Sequence, residues 1–224
     1  YEECVPTVEK YVTDQFPARD AWITLKARTE LVEGKNENNG VYLCPSTRGY
    51  GDHMLIERYE APAEGVIEAN VAALNSLCQN TDAQVYFALI PGAGEIWRDL
   101  LPKNAPMDSQ KAVIDAAYAL SEAKTVDMYG TLSAHYDEDI YYGTDHHWTS
   151  RGAYYGYTAL AEAMGFEAKT ISSYRIEVPT TDFYGTTYSS SGFSWVLPDR
   201  IERWAEQGEN VTVTNYPVGS PVEG

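Results

Sequence analysis

The densest group of reactive side chains runs from His135 to His147, where His135, Asp137, Glu138, Asp139, Asp145, His146 and His147 fall within 13 consecutive positions. Asp145 and His147 are two apart. In an extended loop such residues project to one side, so a carboxylate and an imidazole can share a cleft while His146 points elsewhere. A carboxylate beside an imidazole holds the ring in one tautomer and stabilises the cation formed when it takes a proton from a hydroxyl nucleophile. That chemistry makes His147 a general base and Asp145 the group that orients it. Trp148 would wall the ring from solvent, and Thr149 or Ser150 would cap a following helix. The same residue types also serve structural ends, because Asp and Thr before a helix are ordinary caps and a histidine can simply be hydrogen-bonded.

A metal-dependent hydrolase is an alternative, since His135, Asp137, Asp139, Asp145, His146 and His147 all offer ligand atoms. No H-E-x-x-H or comparable helical spacing accompanies them. Arg151 opens the next helix, where it could clamp an acidic substrate, pair with Asp145 or sit plainly on the surface. His53, after Gly49-Tyr50-Gly51-Asp52, reads as a surface histidine. Asn210-Val211-Thr212 matches a glycosylation sequon, a tripeptide that also occurs by chance.

These side chains need a scaffold, and the apolar spacing describes one. Residues 5–33 read as two short helices, the second restarting at Arg19-Asp20-Ala21-Trp22 and running toward Val32. Val41-Tyr42-Leu43-Cys44 and Met54-Leu55-Ile56 flank a glycine-rich turn and read as a hairpin. A helix follows from Pro62 to Cys78, with Val66, Ala69, Ala73, Leu74 and Leu77 on one face. The run from Val85 to Ile90 reads as a strand buried on both faces, ended by Pro91-Gly92.

Asp108 or Ser109 can cap the next helix, with Val113, Ala116, Ala117 and Leu120 on its face, ahead of a strand at Thr125-Val126-Asp127-Met128. Another helix is expected from Arg151 to Met164, closed by Gly165. The reactive run therefore lies between a strand and a helix, where open α/β sheets place their sites. Residues 166–224 read as irregular, with a short helix around Asp199 to Glu206 and a strand around Val211 to Thr214. The whole of 1–224 is expected to form a single domain: helices and hairpin over 1–60, a β-α-β core over 61–165, and an irregular part beyond.

Composition narrows the function. A formal charge of −17, with only 16 Lys and Arg, argues against nucleic acid and anionic membrane surfaces as partners. No run approaches the roughly 20 apolar residues of a membrane span. Eighteen tyrosines and five tryptophans beside five phenylalanines suit wet, ring-shaped ligands such as sugars, or simply fill half-buried positions. Cys4, Cys44 and Cys78 lack metal spacing and allow at most one disulfide.

The stretch from Tyr142 through Asp145-His146-His147-Trp148 to Ala153 resembles the signature of the bacterial DHHW protein family. Phe16-Pro17-Ala18-Arg19-Asp20, Asn39-Gly40-Val41-Tyr42-Leu43, the run from Asp182 to Ser189 and Pro198-Asp199 are similar to other parts of that family. The family in turn resembles the alginate O-acetyltransferase-like branch of the SGNH hydrolases, where a D-x-H-W motif supplies the Asp and His of a Ser-His-Asp triad. The resemblance implies a three-layer, flavodoxin-like α/β fold with a mostly parallel sheet flanked by helices. It gives Asp145 and His147 the triad roles, with His146, Trp148, Thr149 and Arg151 in support.

In that branch the serine comes later than the Asp-His pair, in a strand-to-turn motif resembling D-S-Y or T-S-Y. Here 224 − 147 = 77 residues follow His147, and none of their serines directly follows an apolar strand in such a motif. Ser189 is the nearest candidate, in a segment that reads as a loop near the cleft. The sequence is therefore expected to be a shortened form of a longer protein lacking its nucleophile, or else a degenerate, glycan-binding member. The implied activity is hydrolysis or transfer of an O-linked acyl group, such as acetate, on a polysaccharide outside the cell. A signal or anchor segment would have been removed, and no organic cofactor is implied.

Overall fold

The computed structural model describes residues 17–46, 49 and 51–208. The first of the two expected N-terminal helices, the strand at 211–214, the sequon and Cys4 lie outside the described residues. The second helix, α1, spans Arg19–Val32. Then β1 (Glu37–Asn38), β2 (Val41–Pro45) and β3 (His53–Glu57) form an antiparallel sheet in the order β1-β2-β3. The expected hairpin is β2-β3, registered with Tyr42 opposite Ile56 and Leu43 opposite Leu55.

Both faces of this hairpin are covered, and its period of two divides the core. Tyr42, Cys44, Met54 and Ile56 pack with Ile96, Trp97, Leu132, Ile140, Tyr141 and Tyr155. Val41, Leu43 and Leu55 point the other way, onto Ala27, Phe193 and Val196. That is why the two short runs are continuously apolar.

Helix α2 (Val66–Gln79) begins after Gly65, later than Pro62. Its buried residue is Val71, with Ile67, Leu74 and Cys78 half-buried, whereas Val66 and Leu77 of the expected face are exposed. The inner stripe is thus turned from the expected one, because alanines fill either face and mark neither. Strand β4 is Tyr86–Ala88, shorter than the apolar run around it and half-buried rather than enclosed on both faces. It pairs in parallel with β5 (Lys124–Val126), Phe87 opposite Thr125.

Between β4 and β5 come the short α3 (Ala93–Ile96), a 3₁₀ turn at Arg98–Leu100 and α4 (Gln110–Leu120). Ser109 caps α4 by accepting the Ala112 N–H, as its sequence position suggests. Tyr118 ties α4 to both strands: its hydroxyl accepts from Leu89 N and donates to the Val126 carbonyl, each at 2.8 Å. Asp127 and Met128 leave the strand, Asp127 capping α5 (Met128–Ser133) through Gly130 N. Helix α6 (Ser150–Met164) ends on Gly165, whose φ of 80° is a left-handed conformation that glycine adopts without strain.

After a 3₁₀ turn at Ile171–Ser173, β6 (Tyr174–Phe183) and β7 (Asp199–Glu206) form an antiparallel ribbon around α7 (Thr186–Ser191). Residues 199–206 are therefore a strand, not the expected helix. Ile201, Trp204 and Ala205 mimic helical spacing, but Trp204 pairs with Ile176 and lies 5.4 Å from the Tyr154 ring, so tertiary pairing overrides propensity. Pro179, which has no N–H, sits where the register slips between Glu177 and Thr180. Residues 187–191, read as loop, are helical.

The architecture is α/β. Among the described residues the parallel pairing is confined to β4 and β5, short of the mostly parallel three-layer sheet expected from sequence. None of their helices is long and apolar enough to cross a membrane.

Candidate functional site

The segment between α5 and α6 folds back on itself instead of running extended. Tyr141 bridges Trp148, Tyr142 N donates to the His147 carbonyl at 3.2 Å, and Thr149 N donates to the Ile140 carbonyl at 2.9 Å. The tight loop this closes, residues 143–146, is pinned from outside by three elements. Leu55 N on β3 donates to the Gly143 carbonyl at 2.8 Å, and Tyr188 N on α7 donates to the Thr144 carbonyl at 2.9 Å. The buried carboxylate of Asp199, opening β7, accepts Gly143 N at 2.9 Å, Thr144 N at 2.8 Å and the Thr144 hydroxyl at 2.5 Å.

Asp145 and His147 are brought together as their spacing suggests. Asp145 Oδ1 lies 2.5 Å from His147 Nδ1 and also accepts the His147 backbone N–H at 3.0 Å. Oδ2 accepts Thr186 N at 2.9 Å and lies 3.2 Å from the Thr186 hydroxyl. The side chain of Asp145 is 7% exposed and that of His147 is 65% exposed. Burial alone pushes the Asp145 carboxyl upward, but the backbone N–H groups of Thr186 and His147, with the His147 ring, outweigh it and hold the carboxyl down at about 2. The carboxylate is therefore ionised, fixed and shielded, while the ring it orients stands open. No hydroxyl of the described residues hydrogen-bonds to His147 Nε2.

His146 does not turn away from the pair. Because the loop is tight rather than extended, its ring lies 3.9 Å from the His147 ring, tilted by 36°. Its Nδ1 is 3.0 Å from the Thr186 hydroxyl and 3.9 Å from Glu57 Oε1. Trp148 does not shield His147; it packs into the core against α6, where a Cβ on Gly156 would meet the indole at 2.7 Å. Thr149 caps α6, accepting Gly152 N at 3.2 Å.

Arg151 turns to Glu138 at 3.1 Å and lies over the Trp204 ring, so it does not pair with Asp145. Glu138 also takes His135 Nδ1 at 2.8 Å and the Tyr155 hydroxyl at 2.7 Å. Burial raises the Glu138 carboxyl, yet the hydrogen bonds from Tyr155, His135 and Arg151 prevail and leave it lowered. His135 stacks on Tyr155 at 3.4 Å, and Asp139 lies 3.7 Å from Arg200. Of the six residues considered as metal ligands, the structure gathers only Asp145, His146 and His147 within 4.8 Å, among the described residues. The carboxylate oxygens of that trio are already occupied by four donors. His53 is exposed at the far end of β3, about 13 Å along the strand from Glu57.

Ser189 donates its hydroxyl to the Gly185 carbonyl at 3.2 Å. It lines a cleft of about 400 Å³ between α1 and α7 with Arg19, Thr24 and Ser194. Asp145 and His146 line a different cleft, of about 430 Å³, with Leu55, Glu57, Leu89 and Ile90, just beyond the C-terminal end of β4. Strand ends of this kind are where α/β sheets place ligands. Ser189 thus lines another cleft, with its hydroxyl turned to the Gly185 carbonyl.

Two contributors were missed in the sequence reading, Thr186 and Asp199. Both lay in stretches similar to the family, Asp182 to Ser189 and Pro198-Asp199, which was the available signal. Gly185 belongs with them: a Cβ there would stand 2.3 Å from Asp145 Oδ2, so only glycine lets Thr186 N approach the carboxylate.

A family model of DHHW proteins matches residues 50–199, about two thirds of the chain. No curated protein matches. Among solved structures, a DHHW family protein from Eubacterium siraeum is 26% identical with a TM-score of 0.64, over 75% of this chain and 55% of that one. Bacillus cereus PatB1, solved with a sulfonyl adduct, is 16% identical with a TM-score of 0.55, over 69% of this chain and 53% of that one. The O-acetyltransferase domain of Pseudomonas putida AlgJ is 21% identical with a TM-score of 0.57, over 74% of this chain and 64% of that one. The chain thus spans between 53% and 64% of the length of these proteins, and its likeness to the last two is one of fold. With the motif Asp145-His146-His147-Trp148 inside the matched region, the chain belongs to the DHHW protein family.

Proposed function

We propose that the Asp145-His147 pair is the base half of a Ser-His-Asp triad that hydrolyses or transfers O-linked acyl groups, acetate foremost, on a polysaccharide outside the cell. The observation that carries the reading is the 2.5 Å contact from Asp145 Oδ1 to His147 Nδ1, with Nε2 on an exposed ring. A ring held at Nδ1 by an ionised carboxylate offers Nε2 as the proton acceptor.

The attacking hydroxyl comes from outside the described residues. His147 Nε2 takes its proton as the oxygen bonds to the acyl carbon, backbone N–H groups hold the resulting oxyanion, and the proton passes to the leaving alkoxide. Water or a second sugar hydroxyl then releases the acyl group by the reverse sequence. The fold likeness to an O-acetyltransferase domain supports acyl chemistry; the carbohydrate acceptor and the three-layer SGNH-type scaffold rest on the resemblance of the DHHW motif and are part of the proposal.

The test is p-nitrophenyl acetate hydrolysis by this chain, by forms extended past Gly224 and by an extended His147→Ala variant. An extended parent faster than its His147→Ala variant by about 10²–10⁴ supports the reading. Equal rates sink it. A rate that appears only with added Zn²⁺ favours metal-assisted hydrolysis, and inactivity of every form favours glycan binding without turnover.

A further inference from the structure

Thr186 Oγ1 stands between two partners, 3.2 Å from Asp145 Oδ2 and 3.0 Å from His146 Nδ1. It has one proton to give. An ionised carboxylate can only accept, and hydrogen bonds to charged groups are roughly twice as strong as neutral ones, so the proton goes to Asp145. The hydroxyl oxygen is then left to accept, and the group that faces it must be an N–H.

The surrounding charges favour the same arrangement. Glu57 Oε1 and Asp145 Oδ1 lie 3.9 Å and 4.0 Å from His146 Nδ1, beyond hydrogen-bond reach, so they add to the Thr186 contact but do not replace it. Glu57 is held in place by the Thr187 hydroxyl at 2.8 Å. The other ring nitrogen of His146 has no hydrogen-bond partner among the described residues.

We propose that Thr186 is a positioning residue that relays hydrogen bonds from His146 Nδ1–H through its own hydroxyl to Asp145 Oδ2, leaving His146 Nε2 as a bare acceptor beside His147. One threonine then fixes the orienting carboxylate on the side away from His147 and sets the tautomer of the second histidine. Its use rests on the O-acyl reading, since a bare imidazole nitrogen next to the base is a fitting partner for a sugar hydroxyl.

Long-range ¹H-¹⁵N spectra of the ¹⁵N-labelled chain decide it, at about pH 8.5, above the ordinary titration range of histidine. The expected result is a protonated Nδ1 and a bare Nε2 on His146, loss of that pattern in Thr186→Val and its return in Thr186→Ser, with His147 unchanged throughout. A protonated Nε2 on His146 in the parent chain overturns the proposal, as does a pattern that survives Thr186→Val. If Thr186→Val does not fold, the parent spectrum and that of Thr186→Ser decide alone. The spectra need no turnover, so extended forms that stay inactive while His146 shows the expected tautomer would sink the O-acyl reading and leave this one standing.

Discussion

Asp199 accepts the Thr144 hydroxyl at 2.5 Å across 55 positions of sequence, with both groups buried. The contact matters because Thr144 immediately precedes Asp145, so the carboxylate at the start of β7 sets the path of the loop that aims the Asp-His pair. Three donors converge on Asp199, two of them backbone N–H groups with no other acceptor among the described residues.

Asp199→Ala should therefore destabilise the chain by about 2–4 kcal/mol, since it strands buried donors rather than merely deleting a surface charge. Urea unfolding followed by circular dichroism measures this. A loss below about 0.5 kcal/mol would show that the loop holds its shape without the anchor.

The depressed Asp145 carboxyl makes an acid-stability prediction. Its folded value of about 2 lies below the ordinary 3.8, so the unfolded chain takes up the proton first as the pH drops. The stabilisation is complete above the unfolded value and is lost as the pH falls from near 4 through about 2. Asp145→Asn should flatten the fall of the urea midpoint over that window; an identical slope in the variant would place the acid sensitivity elsewhere.

Gly185→Ala tests the close approach of α7. The new Cβ would stand 2.3 Å from both Cβ and Oδ2 of Asp145, so the carboxylate must move or Thr186 must withdraw. A displacement of about 1 Å at a catalytic pair costs about 10²-fold in rate. Under the proposed O-acyl activity, an active form should lose that much kcat/KM toward p-nitrophenyl acetate, and an unaltered value would show that the pair tolerates the shift.

Gly152→Ala sets two opposed effects against each other. Alanine in a helix is worth roughly 1 kcal/mol over glycine. At Gly152, however, the Cβ would meet the backbone carbonyl of Ile140 at 2.2 Å, and a backbone oxygen cannot rotate aside as a side chain can. Overpacking of this sort costs about 1–3 kcal/mol, so net destabilisation is expected in urea unfolding, with net stabilisation as the contrary result.

The Asp145-His147 pair was legible in sequence because its two members are neighbours, and local spacing carries local geometry. His146 was misplaced for a related reason: alternation of sides holds for an extended chain, and the bridge between Tyr141 and Trp148 makes this one a tight loop. Trp148 looked like a shield because it adjoins His147, but Gly152 and Gly156 on α6 open a groove that draws the indole into the core. Ser189 looked like a candidate nucleophile from its neighbours alone, and the fold places it on another cleft.

What the amino-acid sequence determined by itself is what short-range physics controls: the helices with caps at Ser109 and Thr149, the β2-β3 hairpin, the place of a strand ahead of Pro91-Gly92, and the pairing of Asp145 with His147. Tertiary structure alone decided the rest. Residues 199–206 became a strand because β6 offered a partner, against a helical pattern of Ile201, Trp204 and Ala205. Thr186 and Asp199 became part of the site because folding brings residues 41 and 55 positions away onto Asp145 and Thr144. The reason is physical: capping, turn and periodicity energies act over a few residues, whereas the partners of a buried carboxylate are whichever donors the packed chain delivers.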